Sequence, residues 1–234
     1  MYRVIVAGGI ASGKSTFARA LERLGALRIV LDELSRVVLD QDQALVAAIA
    51  RRFGDDVVDE DGRIVRRMLA RRAFASAADT AALEALELPA IERELRARLA
   101  AAEAGGGADM AACCAMLPPC VVVEVPLLDR MDVDSFGIDE VVVVLAPLED
   151  RVRRAVARGM DEDDARARMQ GQPTDAWLTA HADLVINNTG SEEDLLLAAR
   201  SWWDEHERHA WTTELSKVPH GAEAPSVASG PEEG

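Results

Sequence analysis

The chain has 234 residues, of which 49% are hydrophobic and only 4% aromatic, and its formal net charge is −15. This size and composition suit one large domain with a hydrophobic core and exclude a fully disordered chain. The negative charge argues against sequence-independent binding to nucleic acid or to anionic membranes, and no apolar run approaches the roughly 20 residues of a membrane span. The chain enters a strand directly after Met1, without a charged and apolar leader, so we expect a cytoplasmic protein.

Five short apolar runs predict buried strands, and helical segments separate them. The runs are 4–7, 26–31, 120–125, 140–145 and 182–188. Continuous Val and Ile residues are typical of strands that are covered on both faces. The pattern therefore predicts an α/β fold with a parallel sheet flanked by helices.

The first strand leads into the sequence GGIASGKS, from Gly8 to Ser15, which has the G-x-x-x-x-G-K-S spacing of a nucleotide-binding P-loop. Its glycines let backbone N–H groups turn toward phosphate oxygens, and the following helix directs its positive end at the same anion. Lys14 adds a positive charge, the Ser15 hydroxyl is a candidate Mg²⁺ ligand, and Thr16 lies beside it. The stretch predicts a nucleoside triphosphate site.

Acidic residues accompany two of the later strands. Asp32 follows the second strand, where a carboxylate could accept a proton from an attacking hydroxyl or hold a metal-bound water. Asp32 is equally suited to capping a helix, and Arg36, one turn later, could pair with it or grip a substrate phosphate. Glu124 stands at the end of the third strand, where it could orient Mg²⁺ through water, contact the substrate or simply face solvent.

The strand pattern disappears between residues 32 and 118, which we interpret as a helical insert. Helical spacing of apolar residues covers 45–53, 65–75 and 81–104, and the Gly- and Pro-rich segment 104–119 is predicted to be a loop. The small and polar residues 212–234 predict a disordered tail. The odd number of cysteines, all near this loop, predicts reduced thiols rather than a disulfide framework; they are Cys113, Cys114 and Cys120.

Residues 149–172 form the one strongly basic segment of this acidic chain. Arg151, Arg154 and Arg158 have the spacing of one helix face, and Arg166 and Arg168 follow on a return helix. Two short arginine-bearing helices after a core strand are typical of a lid that closes on ATP and neutralises the transferring phosphoryl group. The alternative is a solvated surface on which the arginines pair with neighbouring acids.

At this point the chain resembles the bacterial dephospho-coenzyme A kinases. The similar segments occur in the family order and cover roughly residues 1–205; they are GGIASGKST, FGDDVVDEDGRIVRRMLARRAF, VVVEVPLL, RVRRAVARGMDEDDARARMQGQ and ADLVINNTGS. The resemblance implies a P-loop kinase that transfers the γ-phosphate of ATP, with Mg²⁺, to the ribose 3′-hydroxyl of dephospho-CoA. The product would be coenzyme A, and the partners would be small molecules only.

The resemblance also implies roles for individual residues. Asp32 would be the catalytic base, with Lys14, Arg154 and Arg158 also catalytic. Arg67 would lie in the wall against which the pantetheine arm rests, and Asn188 would close the ATP site. The expected ATP-binding residues are Gly9, Ala11, Ser12, Gly13, Lys14, Ser15, Thr16 and Asn188, and the expected substrate-binding residues are Asp32, Arg36, Arg67 and Glu124. Ser15 would bind Mg²⁺, together with Asp32 or Glu124 through water.

The chain departs from the family pattern on the acceptor side. Val30 stands where the family has the first acid of D-x-D, and Leu88 stands where it has the His of a His-Pro pair. Two alternatives therefore stay open beside dephospho-CoA kinase: a P-loop kinase for another nucleotide or hydroxyl acceptor, and a non-catalytic ATP-binding regulator. We expect a monomer or weak homo-oligomer. The predicted parts are a nucleotide-binding core (1–31, 119–149, 181–211), an acceptor-binding insert (32–118), a lid (150–180) and the tail (212–234).

Overall fold

The computed structural model describes residues 1–105 and 119–208. Nearly all of the predicted loop 104–119, with Cys113 and Cys114, and the whole predicted tail 212–234 lie outside the described residues. Cys120 is described; it is buried and forms no disulfide. The predicted division into core, insert and lid remains a prediction.

The described part of the chain contains one five-stranded sheet, in which every neighbouring pair is parallel. The strands are β1 (Tyr2–Ala7), β2 (Leu27–Val30), β3 (Cys120–Val125), β4 (Glu140–Leu145) and β5 (Leu184–Asn187). Their order across the sheet is β2-β3-β1-β4-β5, so β1 lies in the middle. The predicted α/β fold is confirmed, and all five predicted runs form strands.

Nine α-helices occur in the described residues. They are α1 (Lys14–Leu24), α2 (Leu31–Gln41), α3 (Gln43–Phe53), α4 (Arg66–Ala73), α5 (Ala77–Glu103), α6 (Leu148–Ala157), α7 (Glu162–Gln170), α8 (Asp175–Ala180) and α9 (Glu192–Arg208). Several boundaries differ from the sequence prediction by one to four residues, and two of these differences are informative. Leu31 begins α2 instead of ending β2, and α5 begins four residues early because Ser76 caps it by accepting a hydrogen bond from the Asp79 amide at 3.1 Å.

Alternate residues of the central strands point to opposite faces of the sheet, and each face has its own core. Ile5, Val123 and Val143 pack against helices α2 to α5, which we call the insert helices. Their sequence neighbours Val4, Val122 and Val142 pack against α1 and α9 on the other face. All six side chains are fully buried, which explains why these strands are apolar without alternation. None of the described helices is long and apolar enough to cross a membrane.

Candidate active site

Residues 8–13 of the P-loop connect the carboxyl end of β1 with the start of α1, which contains Lys14 and Ser15. This is the middle of the sheet edge at which open parallel sheets bind their ligands. Gly13 takes a left-handed conformation with φ of 108° immediately before Lys14, and among the described residues no side chain caps α1. The first turn of α1 also has no acidic residue. The positive end of the helix is therefore left for an external anion.

Three side chains from distant segments hold the P-loop backbone in place. Asn188 donates from Nδ2 to the Ser12 carbonyl at 2.8 Å. Arg151 donates from Nε to the Ile10 carbonyl at 2.9 Å, while Gln172 accepts from the Ile10 amide at 2.8 Å and from Arg151 at 2.9 Å. We call Arg151 and Gln172, with their bonds to Ile10, the Ile10 clamp. Contacts within the protein thus hold the loop in this shape.

Two of the P-loop glycines are required because other side chains approach their backbone closely, and not only because glycine is conformationally free. A Cβ atom on Gly9 would collide with the Arg151 guanidinium, and one on Gly13 would collide with the Asn188 amide. The Ser12 hydroxyl is buried (1% exposed) and has no hydrogen-bond partner among the described residues. A buried hydroxyl without a partner is costly, so its position in the cradle fits a loop that is completed by a ligand.

Glu124 joins the P-loop helix to strand β2. It is 5% exposed, accepts a hydrogen bond from the Ser15 hydroxyl, and accepts two from Arg28, at 3.1 Å from Nε and 2.9 Å from a terminal nitrogen. The interpretation of Glu124 as a solvated strand-end acid is therefore wrong. Arg28 escaped the sequence prediction, although a charged residue inside an otherwise apolar strand signals that a buried partner is required.

Lys14 stands at the electrostatic centre of the site. Burial lowers the pKa of its ammonium group, the negative charges of Glu124 and Asp32 oppose this effect, and the positive charges of Arg151 and Arg158 add to it. Four of the other charged residues named from the sequence therefore act on Lys14. A buried ammonium group beside further cations is suited to a ligand with several negative charges.

Helices α6 and α7, which we call the arginine helix pair, place two predicted catalytic residues beside the P-loop. A terminal nitrogen of Arg154 donates to the Ala11 carbonyl at 3.4 Å. Arg158, at the end of α6, is exposed and lines a cavity of about 310 Å³ that Ala11 also lines. Both guanidinium groups are thus near the loop that would carry the phosphates.

The arginines of α7 differ from Arg154, because no hydrogen bond to the P-loop is found for them among the described residues. Arg166 donates at 2.9 Å to each oxygen of the Glu149 carboxylate and also bonds Glu162. Arg168 is exposed. For Arg166 the alternative of surface pairing is the correct one, and its bonds fasten α7 to α6.

The three predicted acceptor-side residues on the insert helices are all exposed. Asp32 lies in the first turn of α2, whose capping residue is Val30, so the capping interpretation of Asp32 is wrong. No ion pair joins Arg36 to Asp32 in the described residues, and Arg67 on α4 likewise has no described contact with the P-loop. The structure brings Asp32 to the Lys14 centre but does not bring Arg36 or Arg67 into contact with it.

Asp32 also lies at a cavity of about 180 Å³ between α2, α5 and the segment that follows β3. Leu88, one of the departures from the family pattern, lines the same cavity. We call this space the acceptor cavity. Asp32, the candidate catalytic base, is thus one of the residues that line this cavity.

The donor atoms near the P-loop fit Mg²⁺. The Ser15 hydroxyl and the Glu124 carboxylate lie in contact, and both present the hard oxygen atoms that this ion prefers. Over the described ranges, no group of three or more His, Cys, Asp or Glu side chains is arranged to hold a metal ion. The protein therefore offers few ligands, as is usual where Mg²⁺ is bound largely by substrate phosphates and water.

Comparison with known proteins gives the family. The family model described as dephospho-CoA kinase matches residues 2–194. A dephospho-CoA kinase of Corynebacterium diphtheriae is 38% identical over 197 residues, which are 84% of this chain and 92% of that protein. A crystal structure of a Thermus thermophilus protein aligns with a TM-score of 0.68 at 31% identity over 87% of this chain and 97% of the other. A dephospho-CoA kinase of Campylobacter jejuni aligns with a TM-score of 0.64 at 22% identity over 89% and 98% of the two chains, which supports the fold. The chain belongs to the dephospho-CoA kinase family.

Proposed function

We propose that this protein transfers the γ-phosphate of ATP to the ribose 3′-hydroxyl of dephospho-CoA, giving coenzyme A and ADP. Its membership of the dephospho-CoA kinase family, over nearly the whole described chain, carries this proposal. The arrangement of the site agrees with it. The P-loop, held by protein contacts, and Lys14 lie on one side, and Asp32 and the acceptor cavity lie on the other.

On the ATP side, the phosphates are held by backbone and side-chain groups of Gly9 and residues 11–16, with the Lys14 ammonium group against the β- and γ-phosphates. Asn188 contributes by fixing the Ser12 carbonyl, which keeps the P-loop in its binding shape. Ser15, with Glu124 or Asp32 through water, would hold Mg²⁺, which would supply neutralisation of the phosphate charge.

On the acceptor side, Asp32 takes the proton of the ribose 3′-hydroxyl as its oxygen attacks the γ-phosphorus atom. The bond from that phosphorus to the β-phosphate oxygen breaks, and ADP leaves. Arg154 and Arg158 approach the transferring group from the arginine helix pair and stabilise its charge. Arg36 and Arg67 are exposed, and in this proposal they bind the diphosphate and the pantetheine arm of the acceptor.

The test is ATP consumption by the purified protein with Mg²⁺ and dephospho-CoA, with the product identified by mass. Adenosine, AMP, CMP and a reaction without acceptor are the controls. Phosphate on dephospho-CoA alone supports the proposal. Transfer to another acceptor would favour a kinase of different specificity, and binding of ATP without transfer would favour a regulator. Size-exclusion chromatography of the same sample tests the expected monomer or weak homo-oligomer, and fractionation of cells tests the expected cytoplasmic location.

A further inference from the structure

The acceptor cavity has apolar walls and a few polar groups. Leu88, Ile91 and Leu127 contribute to its apolar lining, and Asp32 is one of the polar residues around it. A space of about 180 Å³ with such walls is suited to a flat ring more than to a chain of phosphates. Asp32 would take the proton of the acceptor's ribose hydroxyl, so this ribose would lie beside the cavity. The nucleobase attached to the ribose is then the ring that could enter the cavity.

Three glutamates of α5 also line the cavity, and they differ in their partners. Glu84 is paired with Arg130 from the segment after β3, and Glu92 is paired with Arg96 at 3.5 Å. Glu87, which is half-buried, has neither a hydrogen bond nor an ion pair within the described part of the chain. Its carboxyl group is therefore the polar group of α5 that is left for a ligand in this cavity.

Building on the proposed function, we infer that the acceptor cavity binds the nucleobase of the acceptor and that the Glu87 carboxyl selects adenine by pairing with one ring nitrogen and the exocyclic amine. A protonated carboxyl has one O–H donor and one carbonyl acceptor. Adenine presents the complementary pair on the edge formed by N7 and the exocyclic amine, since N7 accepts and the amine donates. 7-Deazaadenine has a C–H group in place of N7, so the O–H of Glu87 would be left without an acceptor.

The surroundings of Glu87 keep the required proton on it. Burial, and then the negative charge of Glu84, raise the pKa of Glu87 to about 7. Asp32 and Glu92 add negative charge from the cavity lining, while Arg130 is engaged by Glu84. The carboxyl group is therefore neutral below about pH 7 and ionised above it, so pairing with adenine weakens as the pH rises through that value.

The experiment measures the KM for dephospho-CoA and for its 7-deazaadenine analogue between pH 6 and pH 8.5, in the wild type, Glu87→Gln and Glu87→Leu. We expect the wild type to prefer adenine about tenfold or more at pH 6 and to lose most of this preference at pH 8.5. Glu87→Gln keeps the donor and acceptor pair as an amide, so its preference stays but no longer depends on pH. Glu87→Leu loses the preference at every pH.

Glu94→Gln is the matched control, because Glu94 lies on the same helix, bonds Arg98 at 2.9 Å and does not line the cavity. It should reproduce the wild-type profile. A pH-independent preference in the wild type, or a pH-dependent one in Glu87→Gln, overturns the inference even if Glu87→Leu fails to fold. Failure of the proposed function is a different result, in which the wild type phosphorylates dephospho-CoA at no pH.

Discussion

The ATP side and the acceptor side of the site are built in different ways. In the described residues the buried polar or charged side chains are those of Ser12, Glu124, Arg151 and Asn188, with exposed fractions of 1, 5, 7 and 7%. All four surround or belong to the P-loop. On the acceptor side, Asp32, Arg36 and Arg67 are exposed. The ATP side is fixed by internal hydrogen bonds, whereas these three charged side chains of the acceptor side are in water.

This difference separates folding from catalysis. A buried polar group in a hydrogen-bond network contributes to stability as well as to the shape of the site, because its removal leaves partners unsatisfied. An exposed charge on a helix contributes little to stability but remains free to bind a ligand. Changes on the ATP side should therefore affect both folding and turnover, except where a side chain serves the ligand alone, while changes on the acceptor side should affect turnover only.

Lys14→Ala should give the largest loss of activity. Removal of the ammonium group takes charge from the phosphates, and we expect turnover to fall by about 10³-fold or more. The pKa of Lys14 is lowered by burial, so its loss should cost little stability. Turnover is measured with saturating ATP, and folding by circular dichroism; near-normal turnover in a folded variant would remove Lys14 from the mechanism.

Asp32→Asn tests the acceptor side of the site, whose predicted charged residues are exposed. If Asp32 is the base, kcat should fall by about 10²–10⁴-fold while the affinity for ATP and the free energy of unfolding stay unchanged. Calorimetric titration with ATP and steady-state kinetics measure the two effects. Glu33→Gln, an exposed neighbour in the same turn of α2, is the control and should behave as the wild type. An equal loss of kcat and ATP affinity would instead assign Asp32 to a metal or structural role.

Arg151→Met and Arg158→Ala compare two arginines of α6 and its end. Arg151→Met removes the hydrogen bonds from Arg151 to the Ile10 carbonyl and to the Gln172 side chain. We expect the free energy of unfolding to fall by about 2 kcal/mol. Arg158→Ala should leave unfolding unchanged, since the side chain is exposed, and should lower kcat. Urea denaturation and kinetics on both variants are decisive. A destabilised Arg158→Ala protein would contradict the distinction.

His206 lies near the amino ends of the strands, where it contacts Glu140, the first residue of β4. Its replacement should have the smallest effect of the predicted variants. Burial alone would lower the pKa of His206, but its hydrogen bonds to Glu140 and to the Trp202 carbonyl raise it overall. A raised pKa in the folded protein stabilises it fully below about pH 6.5, the ordinary value, and this contribution is lost as the pH rises through the folded-state value.

The measurement is urea denaturation of the wild type and His206→Gln at pH 6 and pH 9. The wild type should be the more stable at pH 6, and the pH-dependent part of the difference should be under about 1 kcal/mol. A difference that does not change with pH would mean that His206 acts through packing alone.

The sequence predicts most of what depends on local pattern. Continuous Val and Ile runs suffice to place all five strands, and the glycine, lysine and serine spacing suffices to place the P-loop. The start of α5 was missed, although Ser76 and Asp79 carry a local capping signal.

The long-range contacts could not be predicted in the same way. Gln172 ends the basic segment 149–172, but its contact with the Ile10 amide depends on how α6 and α7 return to the sheet. Arg28 and Glu124 lie 96 positions apart and meet only because β2 and β3 are neighbours, with Val30 in register with Glu124. A single sequence specifies such pairs through the whole fold and not through spacing.

The Ile10 clamp has a mechanical consequence for the arginine helix pair. Arg151 lies in the first half of α6 and Gln172 lies just beyond α7, so this hairpin is pinned at both of its legs. Gly159, at the turn between the helices, has open space around it. We therefore expect the tip of the hairpin to move while the two ends of the hairpin stay fixed. This movement would bring Arg158 over the phosphates.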